Sequence, residues 1–246
     1  MWSWQVRTDP RPFAVIALIS AVALFLAAMP AGADGSAARP VQLPTEHLRS
    51  LHKKMIAGRT LGTRDLRALA DAADGLAAFR YGKWLEDQGK SQLLPDAAHY
   101  YSIASYTDRD FAVRRLVALL VLPDLDLTPT RLGAALDALT HQANTKNADA
   151  AFALSNMYAA GHPFGKDPAA MLHWLEVAAT NGRGDAAVKL ALAYMVPTDG
   201  SPVDVAKARA ALDLAAAQPD PGTKAMAQTL LARLADMPSI DEGMTE

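Results

Sequence analysis

Asp149-Ala150-Ala151-Phe152-Ala153-Leu154-Ser155-Asn156-Met157-Tyr158 is answered 36 residues later by Asp185-Ala186-Ala187-Val188-Lys189-Leu190-Ala191-Leu192-Ala193-Tyr194. The shared pattern is Asp-Ala-Ala-x-x-Leu-x-x-x-Tyr. The segment after each copy repeats as well: Asp167-x-Ala169, Leu175 and Ala178-Ala179 return at an offset of 37 as Asp204-x-Ala206, Leu212 and Ala215-Ala216. A period of this size, holding two helix-length stretches, marks an α-solenoid. One such unit cannot bury its apolar face alone, so it stacks on its neighbours and presents an extended surface.

Each period reads as two helices. Ala151, Leu154 and Tyr158 fall at i, i+3 and i+7, one face of a helix. Gly161 supplies the left-handed residue that closes it. Asp167-Pro168 gives an N-cap followed by proline at the first helical position, and the second helix runs to Ala179, ended by Asn181-Gly182. The next unit has a first helix over 185–195, a turn at Pro197, Asp199 and Gly200, and a second helix expected from Ser201-Pro202 to Ala217. Pro219 to Gly222 reads as a break before a capping helix over 224–234, and 237–246 as a tail.

The N-terminal half obeys the same grammar less strictly. Ala78, Tyr81 and Leu85 match the first-helix face and Gly89 the closing glycine; Pro95-Asp96 opens a second helix carrying Tyr100, Tyr101 and Ala104. Val113, Leu116 and Leu120 share one face, and Thr128-Pro129 opens the next helix. Leu48, Leu51 and Met55, then Leu66, Leu69 and Ala73, form a first, atypical pair. The expected fold is all-α, about five helix pairs over 45–236 plus a cap, with weaker repeats at 45–74, 76–106 and 110–143 and the best at 148–182 and 184–217.

The chain has 246 residues, 51% of them hydrophobic, a formal net charge of −2 and no cysteine. That is enough for one extended domain with a continuous core. Near-neutrality gives no electrostatic footprint for nucleic acid. The absence of cysteine removes disulfides, thiolate metal sites and a cysteine nucleophile. At the N-terminus, Arg7 and Arg11 precede an apolar run from Phe13 to Met29, then Pro30-Ala31-Gly32-Ala33. This reads as an export signal cleaved between Ala33 and Asp34, with a flexible leader over 34–44. The alternative is an uncleaved N-terminal membrane anchor. Export places the mature chain, without a membrane span, in the periplasm or outside the cell.

Taken in order, Ala151, Leu154, Tyr158, Gly161, Lys166-Asp167, Ala170, Trp174-Leu175, Ala178-Ala179 and Gly182 resemble the Sel-one-like repeat (SLR), a relative of the tetratricopeptide repeat. The match is close for 148–182. For 184–217, with Ala187, Leu190 and Tyr194, it lacks the Trp and the usual loop glycine. For 76–106, Tyr100-Tyr101 stands where Trp-Leu is usual. The resemblance implies a right-handed superhelix of antiparallel helix pairs and a role as adaptor or scaffold in protein complexes. Signal peptide, repeats and no cysteine together are similar to the exported exopolysaccharide-regulator group. The partner implied is an envelope protein such as a sensor or secretion component.

Chemistry-bearing motifs are few. His47, His52, His99, His141, His162 and His173 show no metal-ligand spacing, no GxSxG occurs, and no strand precedes Gly182-Arg183-Gly184. Neither metal nor cofactor is expected, nor is enzyme activity; a hydrolase without a visible motif ranks third. Trp84, Tyr100, Tyr101, Tyr106 and Trp174 read either as solenoid core or as a groove for sugar rings, so a polysaccharide- or peptidoglycan-binding module is the alternative function. Charge is uneven: residues 34–120 carry 13 Lys+Arg against 10 Asp+Glu, and 121–246 carry 9 against 15. Arg80, Lys83, Arg114 and Arg115 lie off the apolar faces of their helices and form a candidate basic patch for an acidic partner.

Overall fold

The computed structural model describes residues 42–196 and 203–235, all within the compact unit Ser36–Glu246. The regular structure of the described residues is helical: α1 Glu46–Ile56, α2 Thr63–Asp71, α3 Gly75–Asp87, α4 Leu94–Tyr106, α5 Phe111–Leu120, α6 Pro129–Asn144, α7 Ala148–Ala160, α8 Pro168–Thr180, α9 Gly184–Met195, α10 Val205–Ala216 and α11 Pro221–Ala235. A short 3-10 turn, Ser91–Leu93, leads into α4. The expected export segment with its Ala33–Asp34 junction, most of the leader, the turn at 197–202 and the tail lie outside the described residues.

Each helix pairs most closely with its sequence neighbour in α3/α4, α7/α8 and α9/α10. The second helices α4, α6, α8 and α10 also touch in turn, and each packs on the first helix of the next unit. This is nearest-neighbour stacking, as a solenoid requires. Small residues let the helices approach: Ala78, Ala98, Ala104, Ala151, Ala178, Ala187 and Ala215 are all buried. A methyl group on Gly82 would press within 3.1 Å of the Tyr101 ring and 3.2 Å of the Ala97 carbonyl oxygen, so only glycine fits there without a shift.

The turns between units share one closure. The N–H of Asp74 donates to the carbonyl of Leu69, that of Arg109 to Ala104, that of Asn147 to Gln142 and that of Arg183 to Ala178, at 3.0 Å in every case. Each is the long bond of a Schellman turn, and each needs a left-handed residue just before the donor. Gly182 fills that place at φ 92°, but Ala73, Asp108 and Lys146 fill it elsewhere at φ 58°, 61° and 71°. Ala73, expected on the apolar face of α2, is therefore an exposed turn residue; Ala70 is the buried one.

Three further expectations are corrected. The second helix of the last repeat starts at Val205, with the Asp204 side chain accepting from the Lys207 N–H at 2.9 Å, and not at Ser201-Pro202. Pro221 and Gly222 do not break the chain: they form the first turn of α11, where proline has no helical N–H to lose, and Asp220 accepts from the Thr223 N–H at 2.7 Å. The unit at 110–143 is not a tight hairpin. Its helices hardly touch, because 121–128 carries the chain away and α6 docks on α4 and α7 instead.

Candidate protein-interaction surface

The repeat signature is consumed by packing. Ala151, Leu154, Trp174, Ala178, Ala187 and Leu190 are buried, while Tyr158 and Tyr194 lie half-buried against the same core. Gly161 closes α7 at φ 80°. The repeated aspartates have a joint role at the α7–α9 seam. Arg183 pairs with Asp149 of one repeat and with Asp185 of the next, the latter at 2.8 Å, and its guanidinium lies 4.0 Å over the Phe152 ring. Lys189 covers the same ring at 4.5 Å.

The five aromatic residues do not converge on one platform. Tyr100, Tyr101 and Trp174 are buried. The Tyr100 hydroxyl donates to Asp71 at 2.7 Å and the Tyr101 hydroxyl to Glu86 at 2.6 Å. Burial and the adjacent carboxylate push the Tyr100 phenol up to about 12, and burial with Glu86 raises that of Tyr101 further. Trp84 is 39% exposed and lies nearly parallel to Tyr81 at 5.6 Å; Tyr106 sits apart against His141 at 5.1 Å.

The four cations named from the sequence have different partners. Lys83 pairs with Asp87 at 2.7 Å, one turn along α3, and Arg115 crosses from α5 to Glu86 at 3.2 Å. Arg114 stands exposed on α5 with no ion pair among the described residues. Arg80 turns to a different neighbourhood. It lines an open cleft of about 200 Å3 with Arg59, Thr60, Met55, Leu61 and Leu66, between the α1–α2 turn and α3. Sequence reasoning missed Arg59 as a companion of Arg80. The available signal was local: residues 53–64 hold Lys53, Lys54, Arg59 and Arg64 and no acidic residue.

Three of the histidines serve the joints between units. His52 Nδ1 meets the buried Asp74 carboxylate, and His141 Nε2 meets Asp108 at 2.6 Å. His162 Nε2 lies 3.3 Å from the Leu122 carbonyl. His99, in α4, has Nδ1 buried without a hydrogen-bond partner among the described residues. Among those residues no group of three His, Asp or Glu side chains is placed to hold a metal ion, and no helix is long and apolar enough to cross a membrane.

No protein-family model matches the chain, and no curated protein does. Among solved structures, a Sel1 repeat protein from Oxalobacter formigenes superimposes with a TM-score of 0.53 at 24% identity, over 84% of this chain and 56% of that one. A second is c5321, a protective antigen of uropathogenic Escherichia coli strains displaying an SLR fold, with a TM-score of 0.48, 18% identity, and coverage of 76% and 41%. The chain thus spans little more than half the length of the first and less than half of the second. The first likeness, together with the all-helical stack, makes the fold an α-solenoid of the Sel1-repeat kind.

Proposed function

We propose that the chain is an exported, non-enzymatic adaptor that binds an envelope protein through its solenoid surface, in envelope signalling or exopolysaccharide production. The observation that supports this best is where the signature side chains go. They are spent on stacking one unit on the next, and the outer faces are left with separate apolar side chains such as Ile56, Trp84, Val121 and Met226. A stack of this kind offers area for a partner. Export rests on the sequence of 1–33 alone. The test uses the full chain with a C-terminal tag in its native cell. Intact mass of the accumulated protein is expected to begin at Asp34, and crosslinking in the envelope to recover one saturable protein. An unprocessed mass would replace export with anchoring, and an empty capture from folded bait would remove the adaptor.

A second reading, glycan binding, draws on Trp84, whose ring is backed by Tyr81 and partly open to solvent. Titration with envelope polysaccharide should then change tryptophan emission, and a W84A variant should abolish the change. A flat titration with wild-type protein would discard this reading.

A further inference from the structure

We infer that the cleft between the α1–α2 turn and α3 receives the side-chain carboxylates of an acidic polypeptide segment, with Arg59 and Arg80 as its anchoring cations. This rests on the protein-binding reading above and gives that reading a place and a chemistry. The turn that shapes the cleft is dictated locally. Gly58 adopts φ 77° at the end of α1, and the N–H of Arg59 donates back to the Lys54 carbonyl at 3.0 Å. That closure fixes Arg59 immediately beyond the helix end. Arg80 reaches the same concavity from α3.

Charge selects the occupant. No acidic side chain among the described residues lines the cleft. Five other arginines are compensated, Arg49 by Glu46, Arg67 by Asp71, Arg115 by Glu86, Arg131 by Asp96 and Arg183 by Asp149, whereas Arg114 stands alone on α5 among the described residues. Neither Arg59 nor Arg80 has an ion pair among the described residues. Lys53, Lys54 and Arg64 flank Arg59 in sequence and outnumber the one nearby acid, Asp65, so the chain around the α1–α2 turn carries a net positive charge. A guanidinium offers a planar fork of donors that matches a carboxylate two bonds at a time. A volume of about 200 Å3 admits one or two such groups, projecting as side chains from the partner's backbone.

The surroundings favour a polypeptide over a free anion. Ile56, next in sequence to the cleft residue Met55, is 61% exposed at the end of α1. Trp84 comes one helical turn after Arg80 on the same face of α3. Arginine and aromatic side chains beside open apolar area are the composition of protein-interface anchors. An acidic residue with an apolar one next to it satisfies both features.

The probe is an amidated, fluorescein-labelled peptide of sequence Gly-Glu-Leu-Glu-Leu-Gly, titrated against the full chain by anisotropy beside its glutamine counterpart. The expected result is saturable, salt-weakened binding of the glutamate peptide alone. R59E/R80E should bind at least about tenfold more weakly, and R59Q/R80Q should weaken binding too, with helix content unchanged. K83E/R115E should bind as wild type does. Equal binding by R59E/R80E or by the glutamine peptide, or no saturable binding to wild type, would overturn the assignment. So would displacement of the peptide by inorganic phosphate better than by acetate at matched ionic strength, or arginine-dependent sedimentation with phosphatidylglycerol vesicles in place of peptide binding. Crosslinking in the native envelope separates the cleft from the adaptor. A partner captured equally by wild type and R59E/R80E overturns the cleft and keeps the adaptor. An empty capture removes the adaptor, while the peptide titration still decides the cleft.

Discussion

The backbone N–H of Asp167 donates to the carbonyl oxygen of Tyr158 at 3.2 Å, and one repeat later that of Asp204 donates to Tyr194 at 3.1 Å. The signature tyrosine and the N-cap aspartate are therefore one device. The last turn of the first helix holds the residue that starts the second. The two spacings differ by one residue, nine against ten, yet the bond is the same.

The Asp167 side chain adds a cap to that backbone bond, which predicts a measurable loss in D167A. The Asp167 carboxylate accepts from the N–H groups of Ala169 and Ala170, both at 3.0 Å. Removing it leaves two helix-end donors to water, and lost caps of this type cost about 1 kcal/mol. Urea denaturation of D167A should show that loss, and D167N should recover most of it. If D167A unfolds at the same urea concentration as wild type, the cap carries no stability.

Asp74 predicts a larger effect. It is fully buried; Oδ1 accepts from the N–H groups of Leu76 and Ala77 at 3.1 and 3.0 Å, and Oδ2 meets His52 of α1. D74A removes a cap and leaves His52 facing an emptied site, a combined cost of about 2–3 kcal/mol. Residues in one network do not act additively. A double-mutant cycle with H52A should therefore show coupling above about 0.5 kcal/mol. Additive losses would mean that α1 is held without this contact.

The turn at Ala73 predicts a gain. Its φ of 58° is a left-handed conformation that a Cβ makes costly, by roughly 1 kcal/mol, and that glycine adopts freely. Ala73 is exposed, so A73G removes no packing. Because glycine also gains freedom in the unfolded chain, the net stabilisation should be about 0.5 kcal/mol, seen as a higher urea midpoint. A lower midpoint would show that the turn is relaxed with alanine.

These turns mark where the sequence was legible and where it was not. Gly89, Gly161 and Gly182 announce left-handed residues because glycine is the ordinary occupant. Ala73, Asp108 and Lys146 carry no such signal, since the conformation there is imposed by closing one unit onto the next. The paired helices at 149–217 could be read from their tandem identities and from Asp167 and Asp204. The looseness of α5 against α6 could not, because helical periodicity reports that a face is apolar and not which neighbour covers it. The same limit applied to the surface. Arg80 was visible as an off-face cation, but only folding brings it to Arg59, 21 positions away.

His99 predicts an acid-side dependence of stability. Burial, and secondarily the nearby Arg131 cation, lower its pKa below the ordinary 6.5, while Asp96 and Asp71 oppose the shift. Its ring packs on Tyr100 at 5.1 Å, and Arg131 is tied to Asp96 at 2.6 Å. Well above pH 6.5 the imidazole is neutral whether the chain is folded or not, and the full stability is present. As pH falls below 6.5 the unfolded chain takes up a proton that the folded chain resists, so the unfolded state gains. The loss continues until pH passes the lowered folded value. Thermal unfolding of wild type should therefore decline between pH 7.5 and 5.5 more steeply than that of H99Q, which has nothing to titrate at this position. Parallel curves for the two proteins would mean that His99 is as open to protonation in the solenoid as in the unfolded chain.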